Sequence, residues 1–347
     1  MSRLPDDEHL RVFSIDSPDD EADLDDDLEG DDVVERPSVS VVLESLRAEV
    51  VRPAELIGLS DLSTADASFV AAAWLGLPPS TRLSTVQELV AMGEERLDYH
   101  FGRFLRLALA DEDPRVRQLA ITGLWEDEGV DLAGRLGAIM EEDDSQDVRA
   151  QAAQGLTRFA DLAELGQLSS GIAGELREHL FAVATDEGES WHVRRRAIEA
   201  AASFGTDPRL PELIERMFDE DELGLRASAV YAMGRAMDSR WLASTINEFV
   251  SDDAEIRYEA ARAAGMLADT DALPGLSELA GDEDLEVRLA AIGSIGQIGG
   301  SAAVRILRRL VEDAPESDEE AIDDALIEAS IASDPLSLDA EAAWSAS

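Results

Sequence analysis

The sequence predicts an all-α protein in which helical hairpins stack into a solenoid. A helical motif recurs six times at a nearly fixed interval, an apolar segment of helical period follows each copy, and turn residues separate the two. With 45% hydrophobic residues among 347, the chain is long and apolar enough to bury a sizeable core. Since neither helix of such a hairpin can bury its apolar face alone, we expect neighbouring hairpins to form one continuous core.

Each copy of the motif is centred on an arginine that follows an apolar residue. The six anchor arginines, at intervals of 32, 45, 32, 31 and 31 residues, are Arg117, Arg149, Arg194, Arg226, Arg257 and Arg288. Three positions after each anchor stands an alanine, the fourth position is apolar, and the sixth is Gly, Ala or Ser. These offsets lie on one face of a helix, with small residues where another backbone comes close. The wider interval after Arg149 predicts an insertion.

Boundary signals frame the predicted hairpins. The residues four positions before the anchors, all but one of them preferred N-cap types, are Asp113, Ser145, Ser190, Glu222, Asp253 and Asp284. We therefore expect an anchor helix to begin directly after each of them. The helices that follow the anchor helices are predicted over residues 132–142, 172–186, 210–218, 241–250, 272–280 and 302–311.

The helical period also predicts which side chains are buried. Ala229 lies on the small-residue face and is predicted to pack against a neighbouring helix, whereas the preceding residue, Ser228, is predicted to face solvent. Four tryptophans within apolar-periodic segments are predicted to fill gaps between repeats, namely Trp74, Trp125, Trp191 and Trp241.

The pattern D-x-x-V-R-x-x-A, with small residues one turn later, resembles the short HEAT-like repeat of phycobilisome lyases and of many bacterial scaffold proteins. The resemblance covers roughly residues 96–311. It implies a right-handed α-solenoid in which the second helix of each hairpin lines a concave face. It also implies that the anchor arginines are structural and pair with acids of adjacent repeats.

Other segments flank the array. Between Asp16 and Glu35, 12 of 20 positions are Asp or Glu and none is Arg, so residues 1–35 are predicted to form a disordered acidic arm. Residues 36–95 have helical period but do not align with the repeat, and we expect an N-terminal helical cap there. The array is predicted over 96–314, a degenerate capping helix with Asp323 at the anchor position over 315–333, and a disordered tail over 334–347.

The charge balance excludes some classes of partner. The formal net charge is −47, from 76 acidic and 29 basic residues, and every basic residue is arginine. A nucleic-acid binder needs basic groups that displace counterions from phosphates, and an anionic membrane surface needs them too. We therefore expect neither nucleic acid nor membrane as a partner, and we expect protein or basic peptide segments. The same acid-rich, lysine-free composition suits either a high-salt cytoplasm or a GC-rich genome, and the sequence alone does not choose between them.

The inventory of chemical groups favours no catalytic site, metal site or cofactor. The chain has no cysteine, and its four histidines have no metal-ligand spacing. Without lysine it has no phosphate-binding P-loop. No stretch is long and apolar enough to be a signal or a membrane span. The expectation is a soluble cytoplasmic protein.

Two groups of arginines outside the repeat template are candidate partner-binding residues. Arg195 and Arg196 occupy positions where the other copies have no arginine, although they could instead offset the acidic run just before them. Arg305, Arg308 and Arg309 lie at helical spacing on the last following helix, whose exposed side is expected to face the concave surface. The alternative for these three is a solvated cap.

These observations favour a non-catalytic scaffold or adaptor that binds a protein or peptide partner. The alternative implied by the resemblance is a chromophore (bilin) lyase or its regulatory subunit, which a visible absorption spectrum after incubation with a tetrapyrrole would reveal. A third hypothesis, a salt-adapted structural protein, predicts marked destabilisation in dilute buffer.

Overall fold

A computed structural model describes residues 36–96 and 98–333, and within these ranges the chain is helical and contains no strand. The predicted acidic arm over 1–35 and the predicted tail over 334–347 lie outside the described residues. Three helices precede the array: α1 (Val39–Arg47), α2 (Pro53–Leu56) and α3 (Thr64–Trp74).

Helical hairpins follow, as the repeats predict. With the anchor helix first, they are α4 (Pro79–Glu95) with α5 (Gly102–Ala108), α6 (Pro114–Gly123) with α7 (Val130–Glu142), α8 (Gln146–Gly155), insertion helix α9 (Thr157–Glu164) and α10 (Ser170–Thr185), α11 (Trp191–Ala201) with α12 (Leu210–Phe218), α13 (Leu223–Arg235) with α14 (Leu242–Asn247), α15 (Ala254–Leu267) with α16 (Leu273–Leu279), and α17 (Leu285–Ile298) with α18 (Gly300–Asp313). Helix α19 (Glu319–Ser333) packs against α17 and α18. The all-α solenoid predicted from the sequence is confirmed.

The anchor helices begin where the sequence predicts. The side chains of Asp113, Asp253 and Asp284 accept hydrogen bonds from first-turn amides, as N-cap residues do. Ser145 and Ser190 also occupy N-cap positions, but their side chains make no capping hydrogen bond. Tertiary packing therefore sets the start of α8 and α11 without help from a side-chain cap.

Small residues let the anchor helices pack backbone to backbone. A Cβ atom on Gly234 of α13 would lie 2.5 Å from the Cα atom of Ala263 on α15, which is too close for any real side chain. A Cβ atom on Gly265 of α15 would likewise lie 2.7 Å from the hydroxyl oxygen of Ser294 on α17. Each glycine stands eight positions after its anchor and meets the small residue six positions after the next anchor. The column of small residues is thus the contact between successive repeats.

Two of the burial predictions are wrong. Ser228 is 1% exposed and as buried as Ala229, because each anchor helix has neighbours on both sides and buries more than one face. Trp125 is 55% exposed, because it follows the end of α6 and points away from the core. Trp74 and Trp241 are buried as predicted.

The segment before residue 96 contains a seventh anchor that the motif search missed. Arg82 of α4 stands 35 residues before Arg117, is 3% exposed, and places its Nε atom 2.9 Å from an Oδ atom of Asp111. Helix α4 packs against α6 as α6 packs against α8. The motif search failed here because Thr81 and Thr85 stand where the other copies have an apolar residue and an alanine.

Candidate functional site

The anchor arginines join each repeat to the next. Arginine and carboxylate atoms approach to between 2.6 and 2.8 Å in six pairs: Arg117–Asp143, Arg149–Glu189, Arg194–Glu220, Arg226–Glu248, Arg257–Asp282 and Arg288–Asp318. In several repeats a further guanidinium nitrogen holds the loop of its own repeat; Arg257 Nη1, for example, donates to the carbonyl oxygen of Ser251 at 2.9 Å. We call these six pairs the arginine ladder.

The ladder is a structural device. The hydrogen bonds from Arg257 lower the pKa of Asp282, and those from Arg288 lower the pKa of Asp318, so both carboxylates stay ionised. The bidentate geometry of Arg117, Arg149 and Arg257 uses the planar fork of the guanidinium fully. Because these cations are already paired within the protein, they form no free column for an anionic ligand.

The loops that precede the anchor helices carry more acids than the ladder uses. Each of five loops exposes at least one carboxylate that is not the partner of an anchor arginine: Asp144, Glu187, Asp221, Asp252 and Glu283. Because ladder arginines bind their own loop and the next one, these loops lie side by side along one edge of the array. We call this row of loops the acidic edge.

A groove runs along the row of anchor helices. Its volume is about 730 Å³, and its walls come from α6, α8, α9, α11, α13 and α15. Cavities on the row of following helices are smaller and each lies between two helices, as with one of about 330 Å³ between α10 and α12. In addition, the Arg195 side chain on α11 reaches past α13 to Glu255 on α15. Such contacts between alternate helices indicate that the anchor helices line the inner side.

This arrangement corrects the predicted facing of the hairpins. The family resemblance implies that the helices after the anchors line the concave face, with Arg305, Arg308 and Arg309 on it, whereas the structure places the anchor helices on the inner side. These three arginines are exposed on α18, in the other row, and the described part of the chain provides no carboxylate partner for them. Arg305 Nη1 donates to the Ser301 hydroxyl at 3.3 Å. The anchor helix of each hairpin is therefore the inner helix. The repeat pattern alone does not say which of the two helices is inner. A binding role for the three arginines stays a prediction.

Arg195 and Arg196 do lie in the groove, within a network of charges. Arg195 donates to Ser228 Oγ at 3.2 Å and to Glu255 at 2.6 Å, and Ser228 in turn donates to Glu199 at 2.5 Å. Arg196 makes one hydrogen bond among the described residues, from Nη1 to Glu199 at 2.7 Å. Arg195 is therefore held in place, whereas Arg196 keeps donors for a ligand.

At the end of the groove formed by α13 and α15, the carboxyl group of Glu259 lies where ionisation is unfavourable. Burial raises the pKa of Glu259 to about 7, and the neighbouring carboxylates of Glu199 and Glu255 act in the same direction. Its cationic neighbour, Arg262, lies 3.3 Å away and also contacts the rings of Tyr231 and Tyr258. The attractions of Arg262 and Arg195 do not offset burial beside two like charges.

The end of the groove at α6 and α9 contains two residues whose role the sequence did not reveal, Arg158 and Trp125. Arg158, on the insertion helix α9, is half-buried, and its Nε and Nη2 atoms are enclosed with no acceptor among the described residues. Trp125 exposes its ring in the same groove. Arg158 falls outside the repeat template, and the 45-residue interval was its only signal in the sequence.

No metal centre emerges from the described residues. Within residues 36–96 and 98–333 no group of three or more His, Cys, Asp or Glu is arranged to hold a metal ion. None of the described helices combines the length and apolar character needed to cross a membrane.

A match to a family model supports the architecture. The HEAT repeat family model matches residues 133–234 and 242–327. A comparison with curated protein sequences finds no match. Among solved structures, the Escherichia coli protein YibA is 18% identical, with a TM-score of 0.42, over 70% of this chain and 95% of that chain. Human deoxyhypusine hydroxylase, solved with glycerol, is 17% identical, with a TM-score of 0.34, over 77% and 96%.

Kap95p, from a complex with RanGDP, is 15% identical with a TM-score of 0.48; the match covers 84% of this chain and 45% of the longer Kap95p chain. Likenesses this low carry no inference about ligands or partners. The match to the repeat family spans more than half of the 347 residues. The chain belongs to the HEAT repeat family and is a helical repeat scaffold.

Proposed function

We propose that this scaffold is a non-catalytic adaptor that binds a basic segment of a protein partner along the acidic edge. The observation that carries the proposal is the surplus of exposed carboxylates in stacked loops, beyond the carboxylates that the arginine ladder neutralises. A row of like charges at regular intervals attracts an extended cationic segment from a distance and can hold it at several points.

The composition of the edge supports recognition by charge. Asp144, Asp221 and Glu283 are exposed and have no cationic partner among the described side chains. Pairing each with a lysine or arginine costs little desolvation, because the groups stay close to water. The expected complex is therefore salt-sensitive and built from many weak contacts.

A titration with a fluorescein-labelled peptide of about 20 residues, in which lysine and arginine alternate with small neutral residues, tests the proposal. Replacing three edge acids (Asp144→Asn, Asp221→Asn and Glu283→Gln) should weaken binding about tenfold at low salt, since each exposed pair contributes roughly 0.5 kcal/mol. Binding by the unchanged protein should also weaken steeply as salt rises.

The matched control removes three exposed acids from the following helices, Glu175→Gln, Glu212→Gln and Glu278→Gln, which have no ion-pair partner among the described residues. This variant has the same net charge as the edge variant, so its binding should change less than about twofold. Equal weakening by both variants would show that only the overall charge matters, and no binding by the unchanged protein would overturn the proposed function.

A further inference from the structure

The groove along the anchor helices contains a cation that the fold leaves unsatisfied. Arg195, Arg196 and Arg262 each contact a carboxylate of the groove, whereas Arg158 has no carboxylate within ion-pair distance among the described side chains. Its guanidinium stacks over the ring of Phe159 at 4.7 Å, a contact that satisfies none of its hydrogen-bond donors. Two enclosed donors without an acceptor are costly for the protein alone.

The surroundings of Arg158 suit a peptide. Gln151 and Gln154 of α8 line the same stretch of the groove and offer both donors and acceptors, as a peptide backbone requires. The exposed ring of Trp125 offers a flat apolar surface beside them. At about 730 Å³, the groove lies within the usual size range of ligand sites.

The remaining charges of the groove select among anions. Asp161, Glu199, Glu255 and Glu259 line the same cavity, so a doubly charged phosphate would meet more repulsion than a singly charged carboxylate. Arg196, which makes a single hydrogen bond to Glu199, is positioned to help neutralise a carboxylate but not a second negative charge.

We propose that the groove is a second binding site, distinct from the acidic edge, for a peptide segment that carries a carboxylate. The carboxylate of an acidic side chain or of a free C-terminus pairs with Arg158, after a small rotation of that side chain into the groove, and with the exposed side of Arg196. An adjacent apolar residue packs on Trp125, and the peptide backbone bonds to Gln151 and Gln154.

A selection from a randomised pool of seven-residue peptides with free C-termini tests this site. On the unchanged protein, the enriched peptides should carry a carboxylate next to an aromatic or aliphatic residue. On the Arg158→Gln protein this enrichment should disappear. The matched control is Arg135→Gln, which removes an exposed arginine of α7 that has no ion pair among the described residues and should leave the enrichment unchanged.

A titration with an enriched peptide then measures the contact itself. Arg158→Gln should weaken binding about 10- to 100-fold, and replacing the peptide carboxylate by an amide should do the same. Because both changes remove the same interaction, between Arg158 and the peptide carboxylate, combining them should weaken binding little further. An unfolding midpoint no lower than that of the unchanged protein would show that Arg158→Gln still folds normally.

Several outcomes overturn the site: no enrichment, enrichment of peptides without carboxylates, or the same loss with Arg135→Gln as with Arg158→Gln. The edge variant with Asp144→Asn, Asp221→Asn and Glu283→Gln should bind the selected peptides as well as the unchanged protein does. The proposals for the acidic edge and for the groove can therefore be contradicted independently of each other.

Discussion

The arginine ladder and the groove lie on the same anchor helices but differ in how completely their charges are satisfied. In the ladder, Arg257 donates two hydrogen bonds to Asp282, and a third guanidinium nitrogen donates to a backbone carbonyl. In the groove, Glu259 is buried among like charges and Arg158 has enclosed donors without acceptors. Most of the ladder follows the physical rules for buried charges, although the Nε atom of Arg226 is enclosed without an acceptor among the described residues. The groove departs from these rules more widely.

The difference separates what the repeats need in order to stack from what they leave for binding. A paired and hydrogen-bonded charge stabilises the fold but has nothing left for a ligand. An incompletely satisfied charge costs stability until a ligand satisfies it, and local departures from foldability rules are expected at functional sites. A substitution that breaks a ladder pair should therefore lower the free energy of unfolding, whereas one that removes an unsatisfied charge from the groove should raise it.

The largest effect is expected in the ladder. Arg257→Met removes both guanidinium donors from the Asp282 carboxylate, which keeps the Asp284 amide, and it removes the donor to the Ser251 carbonyl; Asp282 is only 11% exposed. We expect a loss of about 2–4 kcal/mol in the free energy of unfolding, measured by urea denaturation. The control is Arg240→Met, whose partner Asp238 lies two residues away and whose side chain is 54% exposed. If the control loses as much stability, the ladder has no special role.

A smaller effect is expected where the anchor helices touch. Gly234→Ala would place a methyl group 2.5 Å from the Cα atom of Ala263, so α13 and α15 must move apart, at a cost of about 1–3 kcal/mol. Gly293→Ala on α17 meets nothing within 4 Å and should stabilise the helix by roughly 0.5–1 kcal/mol. Thermal unfolding of the two variants should shift in opposite directions. Shifts of the same sign would mean that packing between anchor helices does not govern stacking.

The sequence predicted the parts of this architecture that every repeat shares. The anchor, the alanine and the small residue recur because each repeat makes the same contact with the next, so the helix starts after Asp113, Asp253 and Asp284 could be predicted from one chain. Arg82 was not predicted because Thr81 and Thr85 replace the apolar residue and the alanine of the motif, although α4 still packs against α6.

The candidate sites were harder to predict for a physical reason. A period of about 31 residues identifies two helices per repeat, but it does not say which of them lines the inner side. The facing of Arg305, Arg308 and Arg309 was wrong for that reason. Arg158 and Trp125 gain their surroundings from helices far apart in sequence, and no local pattern describes such a neighbourhood.

The smallest effect concerns the acidic end of the groove and should depend on pH. Burial raises the pKa of Glu259 from an ordinary 4.5 to about 7, so the folded protein holds a proton that the unfolded chain releases. The stability that this proton confers is complete below about pH 4.5 and is lost as the pH rises through about 7. Above that pH the ionised carboxylate strains the groove.

Glu259→Gln removes the charge and keeps an oxygen for Arg262, so the variant should gain about 1–2 kcal/mol over the unchanged protein at pH 8 and almost nothing at pH 5. Urea denaturation at both pH values measures the difference. Glu278→Gln, which removes an exposed carboxylate from α16, should give the same small change at either pH. A gain for Glu259→Gln that does not depend on pH would show that its carboxyl group titrates normally. The contrast between a well-paired ladder and a strained groove would then rest on Arg158 alone.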